Sequence, residues 1–264
     1  MSRIERVESA DGTVIACHVA GDGPPLVLVH GTTADHTRWS RVIDRLTARF
    51  TTYAIDRRGR GASADGGDYS IEREFDDVTA VVESIAGDAD LLGHSYGAVC
   101  ALEATVRAPR ARRLVLYEPP LPLGWEMYPP GTVERLEELL AAGEREAVVA
   151  TFLRDVVRVS EGDLDLMRSQ AGWAARVEAA HTIPRELGVD RRYVPDFERI
   201  ATLRVPTLLL AGGASPPFLA EPTRRLHASI PGARLEVMDG QGHVAMDSAP
   251  ELFLEHVVGF LGAA

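Results

Sequence analysis

The stretch Gly93-His94-Ser95-Tyr96-Gly97, preceded by Ala89-Asp90-Leu91-Leu92 and followed by Ala98 to Arg107, decides the fold. The preceding residues read as a short buried strand and the following ones as a helix, so Ser95 is expected on a sharp strand-to-helix turn. Such a turn holds its central residue at a strained backbone angle, and only residues with little or no side chain fit beside it. That accounts for the glycine two positions to either side of the serine. The hydroxyl would stand at the carboxyl end of a strand, over a helix N-terminus that favours negative charge. Five residues of this kind recur by chance, so their meaning depends on their surroundings.

Toward the N-terminus, Ile4 to Glu8 and Thr13 to Ala20 alternate as strands around the turn signal Asp11-Gly12. Leu26-Val27-Leu28-Val29 is instead continuously apolar, as expected of a strand covered on both faces, and runs into His30-Gly31-Thr32-Thr33. Trp39, Val42, Ile43, Leu46 and Phe50 follow at helical spacing, and then the strand Thr52-Tyr53-Ala54-Ile55 completes a βαβ unit. A glycine-rich loop, Asp56 to Ser63, leads to a second amphipathic helix marked by Ile71, Phe75, Val78, Val81, Val82 and Ile85. Beyond the serine, Leu114-Val115-Leu116-Tyr117 is a further buried strand, capped by Glu118-Pro119-Pro120.

From 121 to 200 the alternation stops. Helical stretches such as Val133 to Val149, broken by prolines, predict a helical insertion. Thr207 to Ala211 resumes the strands, Leu219 to Ile230 is expected as a helix, Leu235-Glu236-Val237 as the last strand, and Gly240-Gln241-Gly242-His243 follows. The final helix is expected to start at Ser248 as N-cap, with Pro250 in its first turn. The domains so defined are a core of 1–120 with 201–264 and a helical cap of 121–200.

Bulk properties narrow the function. A net charge of −11 disfavours nucleic acid and anionic membranes as partners. All 28 basic residues are arginine, the mark of a GC-rich bacterial genome, and the lack of lysine removes Schiff-base chemistry and the Walker phosphate lysine. Cys17 and Cys100 read as buried small hydrophobes, with no metal-binding or disulfide pattern. Neither a signal peptide nor a membrane-spanning run is apparent, so a cytoplasmic protein without cofactor or metal is expected.

Four signals occur in order: His30-Gly31, Asp56-x-Arg58-Gly59-x-Gly61-x-Ser63, Gly93-x-Ser95-x-Gly97 and Gly242-His243. In these the chain resembles the α/β-hydrolase superfamily over essentially its whole length outside the insertion. The resemblance implies a mostly parallel central sheet flanked by helices, with the cap inserted after the strand ending near Tyr117. It also implies Ser95 as nucleophile and His243 as its base, since a serine hydroxyl needs a base and a third group to orient that base. Most members place an aspartate after the strand matching Thr207 to Ala211, but Ser215 stands there. Some relatives, many haloalkane dehalogenases among them, carry the acid one strand earlier, which points to Glu118. Asp239 and Asp247 are lesser candidates. The oxyanion donors are expected to be the backbone N–H groups of Tyr96 and Thr32. Asp56, Arg58 and Ser63 read as structural ties.

A serine suits attack at a carbonyl, where a carboxylate would suit alkyl carbon. The expected reaction is hydrolysis of an ester, lactone or thioester of a small, largely apolar molecule through an acyl-enzyme. Trp125, Tyr128, Trp173 and His181 are candidate pocket residues. Two alternatives stay open at this level: a non-hydrolytic enzyme of the superfamily (C–C cleavage, cyclisation or transacylation) and a small-molecule receptor. The oligomeric state is not encoded in any of these signals.

Overall fold

The computed structural model describes residues 3–107, 110–124, 127–159, 161–169, 172–189 and 193–262. Eight strands form one sheet: β1 (Arg3–Glu8), β2 (Val14–Ala20), β3 (Pro25–Val29), β4 (Thr51–Asp56), β5 (Ala89–His94), β6 (Ala111–Tyr117), β7 (Thr207–Gly212) and β8 (Arg234–Met238). Their spatial order is β1-β2-β4-β3-β5-β6-β7-β8. β2 runs antiparallel to both β1 and β4, and every other neighbouring pair is parallel.

The continuous apolar runs divide between two faces at the strand period of two. Val27 and Val29, Leu91, Leu114 and Leu116, and Leu209 face one core. That core is covered by α2 (Ile71–Ser84), α3 (Tyr96–Arg107) and α10 (Pro217–Ser229). Leu26 and Leu28, Leu92, Val115 and Tyr117, and Leu208 and Leu210 face the other. There they meet Trp39, α1 (Ile43–Thr47), the short α11 (Ala245–Ser248) and α12 (Pro250–Leu261).

Between β6 and β7 the described residues form helices only: α4 (Thr132–Ala141), α5 (Arg145–Thr151), a π-turn continuation Phe152–Val156, α6 (Glu161–Arg168), α7 (Trp173–Glu178), α8 (Thr182–Val189) and α9 (Phe197–Ile200). Val133, Leu136, Val148, Phe152, Ile183 and neighbours build a third apolar cluster, separate from the two that sandwich the sheet. The single helix expected over Val133–Val149 is two helices, because Gly143 adopts φ 78° and turns the chain after α4. Ser248 is not the cap of the last helix. It ends α11, and its hydroxyl donates to Gln241 Oε1 at 2.7 Å while α12 opens on Pro250. Among the described residues, no helix is long and apolar enough to cross a membrane.

Candidate active site

The loops that follow β3, β5, β6 and β8 meet at the carboxyl ends of these parallel strands, where Thr32, Ser95, Pro120 and His243 line one cavity. Ser95, between β5 and α3, has φ 56°, in the left-handed region that side chains disfavour. Its amide donates to Tyr117 O at 2.9 Å and its carbonyl accepts from Ala98 N at 2.8 Å, which together hold the turn. The flanking glycines are required by contact. A Cβ on Gly97 would run into the carbonyl oxygens of Val29 and His30, and one on Gly93 would lie 2.5 Å from Ala98 Cα. Gly31 is equally constrained, since a Cβ there would come within 2.8 Å of Ser95 Cβ.

Glu118, the first residue after β6, is also in the left-handed region, at φ 47°, and is fully buried. That backbone turn aims its carboxylate across the ends of the strands. Oε2 lies 2.7 Å from His243 Nδ1, and Oε1 accepts from Gly212 N at 2.7 Å. With both oxygens fixed, the carboxylate sets the tautomer that places the Nδ1 hydrogen toward Glu118 and leaves Nε2 bare. Ser215 Oγ is buried and, among the described residues, has no hydrogen-bond partner and makes no bond to His243. Asp247 is paired with Arg38 instead.

The loop carrying His243 is pinned from below. Tyr117 donates its hydroxyl to Gly242 O and accepts from Ala245 N at 3.1 Å, bracketing the histidine on both sides. His94 Nε2 donates to His243 O at 2.8 Å, and the two rings sit 4.6 Å apart. Burial, and next the charge that His243 can carry, push His94 well below the ordinary histidine range. His94 therefore stays neutral beside His243.

Ser95, His243, Thr32 and Tyr96 line one cavity, enclosing about 50 Å³. No Ser95–His243 hydrogen bond occurs among the described contacts; the shared wall is what brings them together. Such bonds commonly shorten only around a bound substrate. Tyr96 is the first residue of α3, whose first-turn N–H groups have no acceptor within the helix. Thr32 sits beside Thr33, which takes φ 63° and is held by Arg176 of α7 through its carbonyl at 3.0 Å and its hydroxyl at 2.7 Å.

The opposite wall comes from the helical segment, with Tyr128, Phe152, Val156, Glu186 and Leu187. Of the aromatic and histidine candidates, Tyr128 lies there and donates to Leu187 O at 2.7 Å. Trp173 does not: it packs against the segment's own apolar cluster, with the Arg168 guanidinium 5.8 Å from its ring centroid. Nor does His181, which ties the segment to the loop after β4 through Asp65 at 3.2 Å and meets Arg145 of α5 at 3.1 Å. Trp173 opens α7 and His181 sits in the turn between α7 and α8, and neither lines the cavity. Trp125 lies outside the described residues.

Sequence reading missed a buried charge cluster under Tyr96. Arg57 makes a bidentate pair with Glu74, 2.7 Å on each arm, and also reaches Glu186 of α8 at 2.6 Å. Arg60 joins at Glu186, and Tyr69 donates to Glu74 at 2.8 Å while meeting the Tyr96 hydroxyl at 2.9 Å. Asp56 anchors the neighbouring loop, accepting from Ala62 N, His36 N, His36 Nδ1 and His18 Nε2 at 2.7 to 3.0 Å. Ligand atoms of His18, His36 and Asp56 fall within 4.8 Å of one another, the one such group among the described residues. Both Asp56 oxygens are already taken by N–H donors, and the imidazoles stack face to face at 3.4 Å, so their lone pairs do not converge as metal ligands must.

A serine on a strained strand-to-helix turn, a histidine fixed by a buried carboxylate, and one cavity lined by both point to a class. A model of the alpha/beta hydrolase family matches residues 26–256, and the chain belongs to that family. It is 30% identical over 239 residues to an N-formylmaleamate deformylase of Pseudomonas putida, covering 85% of this chain and 83% of that one. It is likewise 30% identical over 259 residues to a putative carbamate hydrolase, RutD, of Azorhizobium caulinodans, covering 92% and 93%. An alpha/beta hydrolase from Sphaerobacter thermophilus superposes with a TM-score of 0.86 at 34% identity, over 97% of this chain and all of that one.

Proposed function

We propose that the chain is a serine hydrolase that cleaves a small acyl compound, an ester, lactone or thioester, through an acyl-enzyme. The observation that carries this reading is the fully buried Glu118 carboxylate, 2.7 Å from His243 Nδ1 in a histidine that shares its cavity with Ser95. Ser95 Oγ attacks the carbonyl carbon as His243 Nε2 takes its proton. Glu118 holds the imidazolium that results, and the N–H groups of Tyr96 and Thr32 receive the oxyanion. His243 returns the proton to the leaving group, then activates water to release the acid. Segment 121–200 acts as a cap whose apolar side chains exclude bulk water, strengthening each of these interactions.

The relatives' names favour one extension. A deformylase and a putative carbamate hydrolase are named for bonds between an acyl carbon and a heteroatom, which the same serine chemistry handles. An amide or carbamate is therefore a second substrate class for this site. The test is turnover of p-nitrophenyl butyrate and of matched small amides. Activity lost in Ser95→Ala and His243→Gln proteins that still fold supports the reading; activity that survives in both sinks it.

A further inference from the structure

The loop after β3, which brings Thr32 to the cavity, is held from two sides. Thr32 N–H belongs to the peptide whose carbonyl is Gly31 O, and that oxygen accepts from His30 Nδ1 at 2.8 Å. His30 Nε2 accepts from Arg57 N at 3.1 Å, which leaves the ring one tautomer and fixes the peptide from the sheet side. On the far side stands Thr33, a β-branched residue at φ 63°, a conformation that persists only where its surroundings enforce it. Arg176 of α7 supplies that enforcement: Nη1 donates to Thr33 O at 3.0 Å and to Thr33 Oγ1 at 2.7 Å, across 143 residues of chain. Relaxing Thr33 to negative φ would break this grip and swing the Thr32 peptide relative to the rest of the loop.

Elsewhere the helical segment is tied down by opposite charges. Asp65, in the loop after β4, pairs with Arg185 Nη1 at 2.7 Å and with His181 Nε2 at 3.2 Å, and Glu186 pairs with Arg57 and Arg60. Arg176 differs. Among the described residues no carboxylate stands within ion-pair distance of its guanidinium, and its bonds go to the two oxygens of Thr33. The helix that delivers it is itself fixed, because Arg145 of α5 donates to Val177 O at 3.0 Å and to Glu178 O. Its unmatched positive charge, one residue from Thr32, also favours negative charge in this loop.

We propose that Arg176 is a positioning residue for the oxyanion hole: the cap, seated through α7, holds Thr33, and Thr33 sets the direction of the Thr32 N–H. This rests on the hydrolase reading and adds a means by which the cap governs the chemical step as well as access to the cavity. Such an interaction acts on the transition state, where the oxygen is negative, and not on the bound ester.

Arg176→Met keeps the apolar stem and removes the donors. Its kcat on p-nitrophenyl butyrate is expected to fall by about tenfold or more, with KM within about twofold of wild type. Two ketones on one frame read the oxyanion itself. On 1,1,1-trifluorohexan-2-one, Ser95 Oγ bonds the carbonyl carbon, the C=O pair becomes the oxyanion and the serine proton passes to His243; hexan-2-one binds without reacting. The preference for the trifluoroketone, taken as the ratio of the two inhibition constants, should drop by about tenfold or more in Arg176→Met. Asp65→Asn, which releases the α8 ties and leaves Arg176 in place, should keep the wild-type ratio. If Arg176→Met does not fold by circular dichroism, Thr33→Ala carries the test: it removes only the Oγ1 acceptor, and the ratio should drop by about threefold or more.

An unmoved ratio in folded Arg176→Met, or in Thr33→Ala where that variant carries the test, overturns the proposal. So does an Asp65→Asn ratio that falls as far as that of Arg176→Met, since general loosening of the cap would then explain both. The ratio needs no turnover, so it reads Arg176 apart from the choice of ester. Wild-type protein that cleaves no ester and does not distinguish the two ketones refutes the hydrolase reading, and the role of Arg176 falls with it.

Discussion

Glu118 Oε2 stands 2.7 Å from His243 Nδ1, although 125 residues separate the two in the chain. The left-handed turn at Glu118 makes this contact, and Gly212 N holds the other oxygen. Replacing Glu118 by Gln preserves size but allows the histidine to settle in the wrong tautomer. Turnover of a p-nitrophenyl ester is expected to drop by about 10³- to 10⁴-fold with KM little changed, as when a triad acid is made an amide. Ser215→Ala should leave the rate nearly unaltered. Steady-state kinetics of both variants checks this, and the opposite ranking would move the acid elsewhere.

Tyr117 bears on the same histidine from beneath. Tyr117→Phe strips the partner from Gly242 O and Ala245 N, the residues bracketing His243. Leaving such buried groups unmet costs about 1–3 kcal/mol in stability. The histidine loop then loses its register, and kcat is expected to fall by about ten- to a hundredfold while KM stays close to its wild-type value. Thermal melts and kinetics on the same preparation separate the two effects.

The Asp56 tie predicts a pH window for stability. Burial alone would push the Asp56 carboxyl up, but the side-chain bond from His36 and the backbone N–H groups of Ala62 and His36 hold it well below the usual carboxylate range. Burial would depress His36, and the bond and charge of Asp56 outweigh it and raise that histidine. A depressed acid contributes stability that is complete above its unfolded value of about 3.9 and is lost as pH falls through the folded value. A raised histidine contributes stability that is complete below about 6.5 and is lost as pH rises through the folded value. The melting-temperature gap between wild type and Asp56→Asn should therefore be widest from about pH 4 to about 6.5 and shrink on either side. A gap that is flat from pH 3 to 9 would show that Asp56 acts without its charge.

Much of this architecture is legible in the chain because its signals are local. The apolar runs Leu26–Val29 and Leu114–Tyr117 carry the strand period, and Gly31, Gly93 and Gly97 stand where any side chain would collide. Glu118 could be picked out only through the resemblance, because it directly follows the buried strand after which some relatives carry the acid. What stays hidden is long-range pairing. Nothing near Arg57 in sequence announces Glu186, 129 residues away, and Arg176 gives no local sign that it holds Thr33. Trp173 and His181 show the converse: residue type and neighbourhood suggest a pocket, but partners distant in sequence hold each side chain elsewhere, Trp173 in the helical segment's apolar cluster and His181 on Asp65.

The central claim is that Ser95 is the nucleophile, and one measurement addresses it most directly: intact-mass and peptide-level mass spectrometry of folded protein after a fluorophosphonate. The expected result is one adduct, on Ser95, absent from Ser95→Ala protein and formed much more slowly in Glu118→Gln. An unmodified Ser95 under conditions that label an ordinary esterase to completion, or an adduct at some other residue, would contradict the account.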